Sequence, residues 1–518
     1  MSKRPRLRFI PSLLPSNTGP LVLPAPTIVA GVWGYPGAWR PAEYVFTSKD
    51  ASIARVAKSS LEPLVEFYNP EHVVIFIADT VAPREALREA RSYSDVLEAV
   101  VRWLYGWLRD NTDAIRERLS RLSVEVVPNV GFYQECEWKF AEGASPLDAF
   151  RALTLRVLYE KLVDVALEAP VVRLVLDLTH GINYMPVLAR EAALHAAIAA
   201  SLTTGSTVEL VLVNSEPYPV GWSSDKPPRL EVHVLGIERV DAGYAALRAS
   251  IDLVKTVLRN GNVRVKLASA PGKLAPVLGT TLNTPARMLV ERDGIPAAVV
   301  TLYGLPLAAA YLAVDSELDV DNAMELYKTA IDYFRGYTRL ERQPCRVFHE
   351  VGLDYAGLRS LLYAASLVRH VKRAYAGALS DDTVCCNLET LEDRGVYIDE
   401  LSEIAGRLAT PYRTIVGTEL HKIEETIRAV AKCRCGGGDG PRCEKPEALH
   451  FPIYCDDWPG EKCKEQIDLR NLLAHAGLEY NAIEATIDES GIALRYREGC
   501  WEIVKKLLKT TARMLAEG

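Results

Sequence analysis

Apolar positions along this chain change their spacing near residue 240. Before it, short unbroken apolar runs alternate with stretches of helical period. Thr27-Ile28-Val29-Ala30-Gly31-Val32-Trp33 reads as a buried strand ending in the turn Gly34-Tyr35-Pro36-Gly37. HVVIFIA at 72–78 is a second, closed by Asp79 and Thr80. Leu87, Val96, Leu97, Val100, Leu104 and Leu108 mark one side of a helix over 84–120, and Val124 to Val127 gives a short strand. A helix over 146–168, a strand over 171–176, a helix over 184–202 and strands at 208–213 and 230–235 follow. Strands apolar on both faces, alternating with helices, predict an open, mostly parallel sheet covered on both sides, ending near 238.

Beyond residue 350 the period is helical, over 355–379, 397–432, 462–476 and 498–516. Residues 240–340 start with a helix near 241–259 and continue in mixed short segments. The uncharged run from Gly294 to Val314 contains Pro296, Gly304 and Pro306, and reads as buried core rather than a membrane span. The predicted organisation is α/β plus all-α. A Pro-rich segment (1–26) precedes a sheet domain (27–238), a connector (239–345) and a helical domain (346–518) with a Cys-rich insertion (433–463).

Charge narrows the function classes. Lys and Arg number 60 against 67 Asp and Glu, a net charge of −7, so a long basic surface is excluded and nucleic-acid contact must be local. Lys3, Arg4, Arg6 and Arg8 imitate the start of a signal peptide, but Pro11 and Pro15 interrupt the apolar stretch that should follow. The expectation is a soluble, cytoplasmic protein with no membrane partner. Three Gln and 13 Asn among 518 residues, with charge at 25%, are a high-temperature signature. Intracellular disulfides become admissible in that setting.

The densest polar cluster is Asp177-Leu178-Thr179-His180-Gly181-Ile182-Asn183, where a strand gives way to a helix. Ligands of open α/β sheets gather at such strand ends, against free helix amides. Thr179, His180 and Asn183 add donors, and Gly181 permits close backbone approach. Alone, Asp177 and Thr179 would read as a helix cap. Two more strand ends, Gly34-Tyr35-Pro36 with Trp39 and Asp79-Thr80, make a shared pocket the better reading. Trp39 and Tyr35 are placed to stack a base, worth about 1–3 kcal/mol.

Asp177-Leu178-Thr179-His180-Gly181 after a buried strand resembles the motif of the CRISPR-associated DxTHG family. The turn Trp33-Gly34-Tyr35-Pro36-Gly37-Ala38-Trp39, Asp79-Thr80, and Val127-Pro128-Asn129-Val130-Gly131 with Phe140 and Gly143 agree with it. The resemblance implies an N-terminal CARF domain, a Rossmann-like sensor, joined to a C-terminal helical HEPN domain. The HEPN signature is an Arg, four to six residues, and a His, often with a polar residue after the Arg. Arg470-Asn471-Leu472-Leu473-Ala474-His475 fits it. Spacing alone is weak, since about 0.7 such Arg–His pairs arise by chance in a chain of this composition. Arg190 with His195 shares the spacing but sits in the sheet domain, and Arg342 with His349 has Pro344 between them. Position singles out Arg470 and His475.

Those residue types suit metal-free RNA cleavage. A histidine moves protons between the 2′-hydroxyl and the leaving 5′-oxygen, a permanently charged Arg holds the phosphate, and Asn471 positions an oxygen or the Arg. Five helical positions turn by about 500°, leaving Arg470 and His475 about 140° apart. That favours a site completed at an interface, and the family builds it across a two-fold axis. The resemblance thus implies a metal-independent single-stranded RNA endoribonuclease working as a homodimer or higher homo-oligomer beside a type III CRISPR complex. Its activator would be a cyclic oligoadenylate, the tetra-adenylate first, with no cofactor needed for catalysis. The rival expectations are a ligand-responsive transcription regulator and a ring nuclease.

Cys433, Cys435, Cys443, Cys455 and Cys463 fall within 31 residues. Cys-x-Cys followed by spacings of 7, 11 and 7 is not a zinc-knuckle pattern, so these cysteines read as structural, with disulfides ahead of zinc.

Overall fold

The computed structural model describes residues 25–48, 51–167, 169–379, 387–408, 413–434, 453–455, 463, 467–479, 481–488 and 491–517. The chain opens with β1 (Thr27–Trp33), β2 (Ala42–Thr47), β3 (Ser52–Ala57), α1 (Leu61–Tyr68) and β4 (His72–Ala78). Then come α2 (Arg84–Glu89), α3 (Tyr93–Asn111), β5 (Leu122–Val127), β6 (Gly131–Tyr133), β7 (Cys136–Phe140) and α4 (Pro146–Ala166). The N-terminal part ends with β8 (Val171–Asp177), α5 (Met185–Thr204), β9 (Thr207–Ser215) and β10 (Arg229–Val240).

Eight of these strands form one sheet, in the order β3-β2-β10-β9-β8-β1-β4-β5. The run from β9 to β5 is parallel throughout, as is the pair β2–β10, while β9–β10 and β2–β3 are antiparallel. Strands β1, β4 and β8 are buried almost end to end, as their unbroken apolar runs predict. After the edge pair β2–β3, the chain adds β4 and β5 on one side of β1 and then β8 and β9 on the other. The strand order therefore reverses at β1/β8, where such sheets open a crevice beyond the strands' carboxyl ends.

The middle of the chain is more helical than its sequence suggests. It holds α6 (Ala242–Val257), the hairpin β11 (Leu258–Arg259) and β12 (Asn262–Val263), β13 (Ala268–Ser269), α7 (Leu274–Leu278), α8 (Thr284–Leu289), α9 (Ile295–Tyr303), α10 (Pro306–Asp315) and α11 (Val320–Gly336). The uncharged run 294–314 forms α9 and α10, broken at Gly304, and both helices are core; among the described residues no helix is long and apolar enough to cross a membrane. β14 (Thr338–Arg342) and β15 (Cys345–His349) pair as a hairpin, and β16 (Gly352–Leu353) pairs with β13. β15 also lies parallel to β7, and a Cys136–Cys345 disulfide joins them.

The C-terminal part comprises α12 (Tyr355–Ala376), α13 (Leu388–Arg394), β17 (Val396–Tyr397), α14 (Ile398–Arg407), α15 (Arg413–Arg434), β18 (Ile453–Cys455), α16 (Leu469–Ala474), β19 (Ile483–Asp488), β20 (Gly491–Tyr496) and α17 (Cys500–Glu517). It is mainly helical, yet β17, β20, β19 and β18 form a small sheet that the sequence reading lacks. Three expected helices also differ. The 84–120 segment splits where Ser92 accepts from the Asp95 amide and starts α3 afresh. The 397–432 segment is α14 and then α15. Of 462–476, only Leu469–Ala474 is helical among the described residues.

Candidate functional site

A cavity of about 620 Å³ opens beyond the carboxyl ends of β1, β8 and β9. Trp39, Thr179 and His180 line it together with Arg40, Tyr44, Lys58, Ser215 and Tyr218. Asp177 builds its floor from within. Its buried carboxylate accepts from the Ser60 hydroxyl at 2.7 Å, the Thr179 hydroxyl at 2.6 Å and the Thr179 amide at 3.0 Å. Thr179 Oγ1 in turn accepts from the Ser215 amide at 3.0 Å, and the Gly34 amide donates to the His180 carbonyl at 2.8 Å. The motif is thus tied to the ends of β1 and β9 and to the start of α1. A Cβ on Gly34 would lie 2.3 Å from the Ile182 side chain, so the β1–β8 approach needs a glycine there.

His180 is neutral in this setting. Its Nε2 accepts from the Ser60 amide at 3.2 Å, and burial pulls its pKa down to about 4 against the opposing pull of Asp177. The Trp39 ring stacks on it with centroids 4.0 Å apart. Arg40 and Lys58 supply positive charge on the lining.

The other expected pocket residues spread out. Tyr35 is exposed and stacks on Trp103, and Pro36 is buried in the turn before Trp39. Gly181 packs against Pro186, and Asn183 is exposed with a left-handed φ of 53°. Asp79 and Thr80 are buried and do not line the cavity. Asp79 accepts from the Tyr93 hydroxyl at 2.8 Å and the Asn129 amide at 3.0 Å, and burial pushes its carboxyl up to about 7. It faces the β14–β15 hairpin, where His349 Nε2 stands 3.8 Å away.

In the helical end, Arg470 and Asn471 are exposed on α16. The helix stops one residue short of His475, which has φ −105° and ψ 34°. Ala476 and Gly477 take left-handed conformations, and the Gly477 amide closes the turn on the Leu472 carbonyl at 2.7 Å. His475 therefore leaves the position that an ideal helix would give it. Its Nδ1 lies 2.9 Å from Glu419 Oε2 on α15. Burial pushes the Glu419 carboxyl up, but hydrogen bonds from Lys422 and His475 outweigh that and hold it below the ordinary range.

His195, the other histidine at this spacing, is packed in α5 with Nδ1 2.5 Å from the Tyr363 hydroxyl. Of the cysteine cluster, Cys463 pairs with Cys500 at the start of α17, a partner outside the cluster. Cys435 and Cys443 lie outside the described residues, as do the side chains of Cys433 and Cys455. Among the described residues, no three His, Cys, Asp or Glu are grouped to hold a metal ion.

Sequence reasoning missed Ser60, Lys58, Tyr44, Ser215 and Glu419. The run Lys58-Ser59-Ser60 at a strand-to-helix junction was a readable signal for the first two. Glu419 is one acid among several on α15 and carries no local signature.

A parallel sheet with a polar cavity at its reversal point, followed by a helical end bearing Arg470, Asn471 and His475, is the layout of a ligand sensor joined to an effector. Family models agree. That of the CRISPR system endoribonuclease Csx1 CARF domain matches residues 28–217, and that of the Csx1 HEPN domain matches 409–498. The chain is also 29% identical over 192 residues to the CRISPR system endoribonuclease Csx1 of Methanocaldococcus jannaschii, a match spanning 37% of each chain. The chain belongs to this CARF–HEPN family of CRISPR ancillary ribonucleases.

Proposed function

We propose that this chain is an endoribonuclease of CRISPR defence, switched on by a cyclic oligoadenylate and cutting single-stranded RNA without a metal. The observation that carries the reading is the 2.9 Å bond between Glu419 and His475, beside exposed Arg470 and Asn471. A carboxylate on Nδ1 fixes the imidazole's orientation and assigns proton transfer to Nε2. Arg470 then holds the scissile phosphate and the charge that develops on it, and Asn471 positions the attacking 2′-oxygen. Attack by that oxygen expels the 5′-oxygen and leaves a 2′,3′-cyclic phosphate and a 5′-hydroxyl. One chain supplies one Arg470–His475 set, and a second copy in a homodimer supplies the other.

The activator belongs in the cavity beside the Asp177–Asn183 loop. Trp39 and His180 offer a stacking surface for adenine, and Arg40 and Lys58 offer charge to phosphates. A ring with two-fold symmetry would span two such cavities in a dimer. The cyclic tetra-adenylate is the ring to try first. The cysteine insertion 433–463 is structural in this reading, and the working surroundings are the cytoplasm.

The test uses labelled single-stranded RNA incubated with the protein, with and without cyclic tetra-adenylate and EDTA. Stimulated cleavage that survives EDTA and is lost in His475→Ala, with ring binding intact, supports the reading. Cleavage unchanged in that variant rejects the site, and intact RNA with retarded duplex DNA favours the regulator.

A further inference from the structure

Two adjoining clefts share Arg259 and Arg264 in their linings. One, of about 490 Å³, is lined by Arg259, Arg264, Lys266 and Arg287. The other, of about 450 Å³, is lined by Arg259, Arg264 and Arg513. Of the two arginines they share, Arg259 ends β11 and Arg264 follows β12, on either side of the turn Asn260-Gly261, whose residues both have positive φ, 52° and 73°. An Asn-Gly turn of that hand is tight, so it sets Arg259 and Arg264 close together as a wall between the clefts. Arg287 reaches in from α8 and Arg513 from the end of α17.

Five exposed cations thus meet two acids, Asp354 and Glu517, in a chain of net charge −7. Asp354 is already engaged, accepting from the Gly357 amide at 2.9 Å. Among the described residues, Arg259, Arg264, Arg287 and Arg513 make no ion pair and no side-chain hydrogen bond. Other arginines of this chain are spent internally: Arg151 bridges Asp148 and Glu191, and Arg292 bridges Asp293 and Glu317. Five cations against two acids leave a surplus of positive charge whose mutual repulsion a polyanion in the clefts would relieve. Among the described residues no aromatic ring lines either cleft. The surface therefore offers planar forks for phosphates and nothing on which to stack or read a base.

We propose that these clefts hold the phosphodiester backbone of single-stranded RNA, apart from Arg470, Asn471 and His475; the choice of RNA rests on the ribonuclease reading above. The clefts meet the C-terminal end of α17, while its first residue, Cys500, is bridged to Cys463 shortly before α16. Arg513 lies thirteen positions after Cys500 on α17, about 20 Å along the axis at ~1.5 Å per residue. A strand held there is presented to the effector end without regard to sequence.

The experiment titrates labelled single-stranded RNA into full-length protein carrying His475→Ala, so that the RNA survives, across a series of salt concentrations. Arg259→Gln/Arg264→Gln and Arg287→Gln/Arg513→Gln are compared in that background, with unchanged Tm as the check on folding. Each double variant should weaken binding about tenfold and make the slope of log affinity on log salt shallower by about 1.4, two contacts at ~0.7 each. Single-stranded DNA of equal length should show the same arginine dependence. Unchanged affinity and slope in both variants overturn the proposal, as does arginine dependence confined to RNA, or full displacement by inorganic phosphate at constant ionic strength. Cleavage by the chain with His475 intact is measured alongside. RNA held through the arginines but never cut removes the ribonuclease reading alone, whereas His475-dependent cutting with arginine-independent binding removes the clefts alone.

Discussion

Asp79 and His349 are both fully buried, 3.8 Å apart, and their protonation states oppose one another. Burial pushes Asp79 up from 3.8 to about 7 and pulls His349 down from 6.5 to about 3. Between about pH 4 and 6.5 the folded pair therefore binds one proton, on Asp79, and the unfolded pair also binds one, on His349. Equal proton counts give the pair almost no pH slope. Removing one member exposes the other. In Asp79→Asn, His349 remains, and the unfolded chain binds the extra proton between pH 3 and 6.5. Stability must then rise with pH by about 1.4 kcal/mol per unit. In His349→Gln, Asp79 remains and the folded chain holds the extra proton from 3.8 to about 7, so stability falls with pH at the same rate. Over pH 4.5 to 6.5 the two variants should diverge from wild type by about 3 kcal/mol in opposite directions, ~6–12 °C in Tm for a unit of this size. Thermal unfolding of the three proteins at both pH values reads it directly. Variants that keep the wild-type slope, or that move in the same direction, would refute the argument.

Four other perturbations follow from the same geometry. Trp39→Ala removes the ring stacked on His180 and should weaken cyclic tetra-adenylate by about 1–3 kcal/mol, read by calorimetry, with the fold retained. Glu419→Gln keeps the length but not the charge on His475, and should slow RNA cleavage about tenfold or more while leaving ring affinity unchanged in a binding assay. Tyr363→Phe deletes the hydroxyl that meets His195; stimulation by the ring should drop although ring binding and unstimulated cleavage persist. Cys500→Ser opens a bridge between positions 37 apart and should cost about 4 kcal/mol on chain-entropy grounds, seen as a lower Tm under non-reducing conditions; an unchanged Tm would refute it.

The sheet was legible because its strands are buried on both faces. β1 and β4 follow their apolar runs to the residue, and β8 and β9 within two. Edge strands hide better: β3 alternates exposed and half-buried residues, so its run SIARVA carries no continuous apolar signal. β19 and β20 fall in the gap between the expected helices 462–476 and 498–516, where Ile483-Glu484-Ala485-Thr486-Ile487 alternates over too few residues to stand out. The cavity was legible at Trp39, Thr179 and His180, which follow strand ends directly. Ser60 and Ser215 arrive there through long-range pairing, and no local pattern reports that. Asp79 shows the limit of strand-end reasoning: β4 ends beside β1, but the acid that follows it turns toward the β14–β15 hairpin rather than the cavity.

The two ends of the chain are joined by packed helices. α5 begins just after the Asp177–Asn183 loop and packs along its length on α6 and α12. Across that seam, His195 meets Tyr363, Thr203 Oγ1 donates to Ser366 at 3.2 Å, and Arg373 donates to the Leu202 carbonyl at 2.9 Å. A polar seam buried at His195 and Tyr363 and part-buried at Thr203 and Arg373 has few alternative registers, because a slip leaves donors unsatisfied. In the proposed gating, a displacement of the α5 start by a ligand is passed on as motion of α12 rather than absorbed at the interface. α12 contacts α10 and α14, and α14 contacts α15, which carries Glu419. The proposed gating asks only that the ring bind the arrangement in which Glu419 holds His475 more tightly than it binds any other; shifting that equilibrium from 1:99 to 99:1 takes about 5.5 kcal/mol of differential affinity. Only contacts that the ring makes in one arrangement and not in the other count toward that figure, so the Trp39–His180 surface, Arg40 and Lys58 drive the change to the extent that they close on the ring in the cutting arrangement alone.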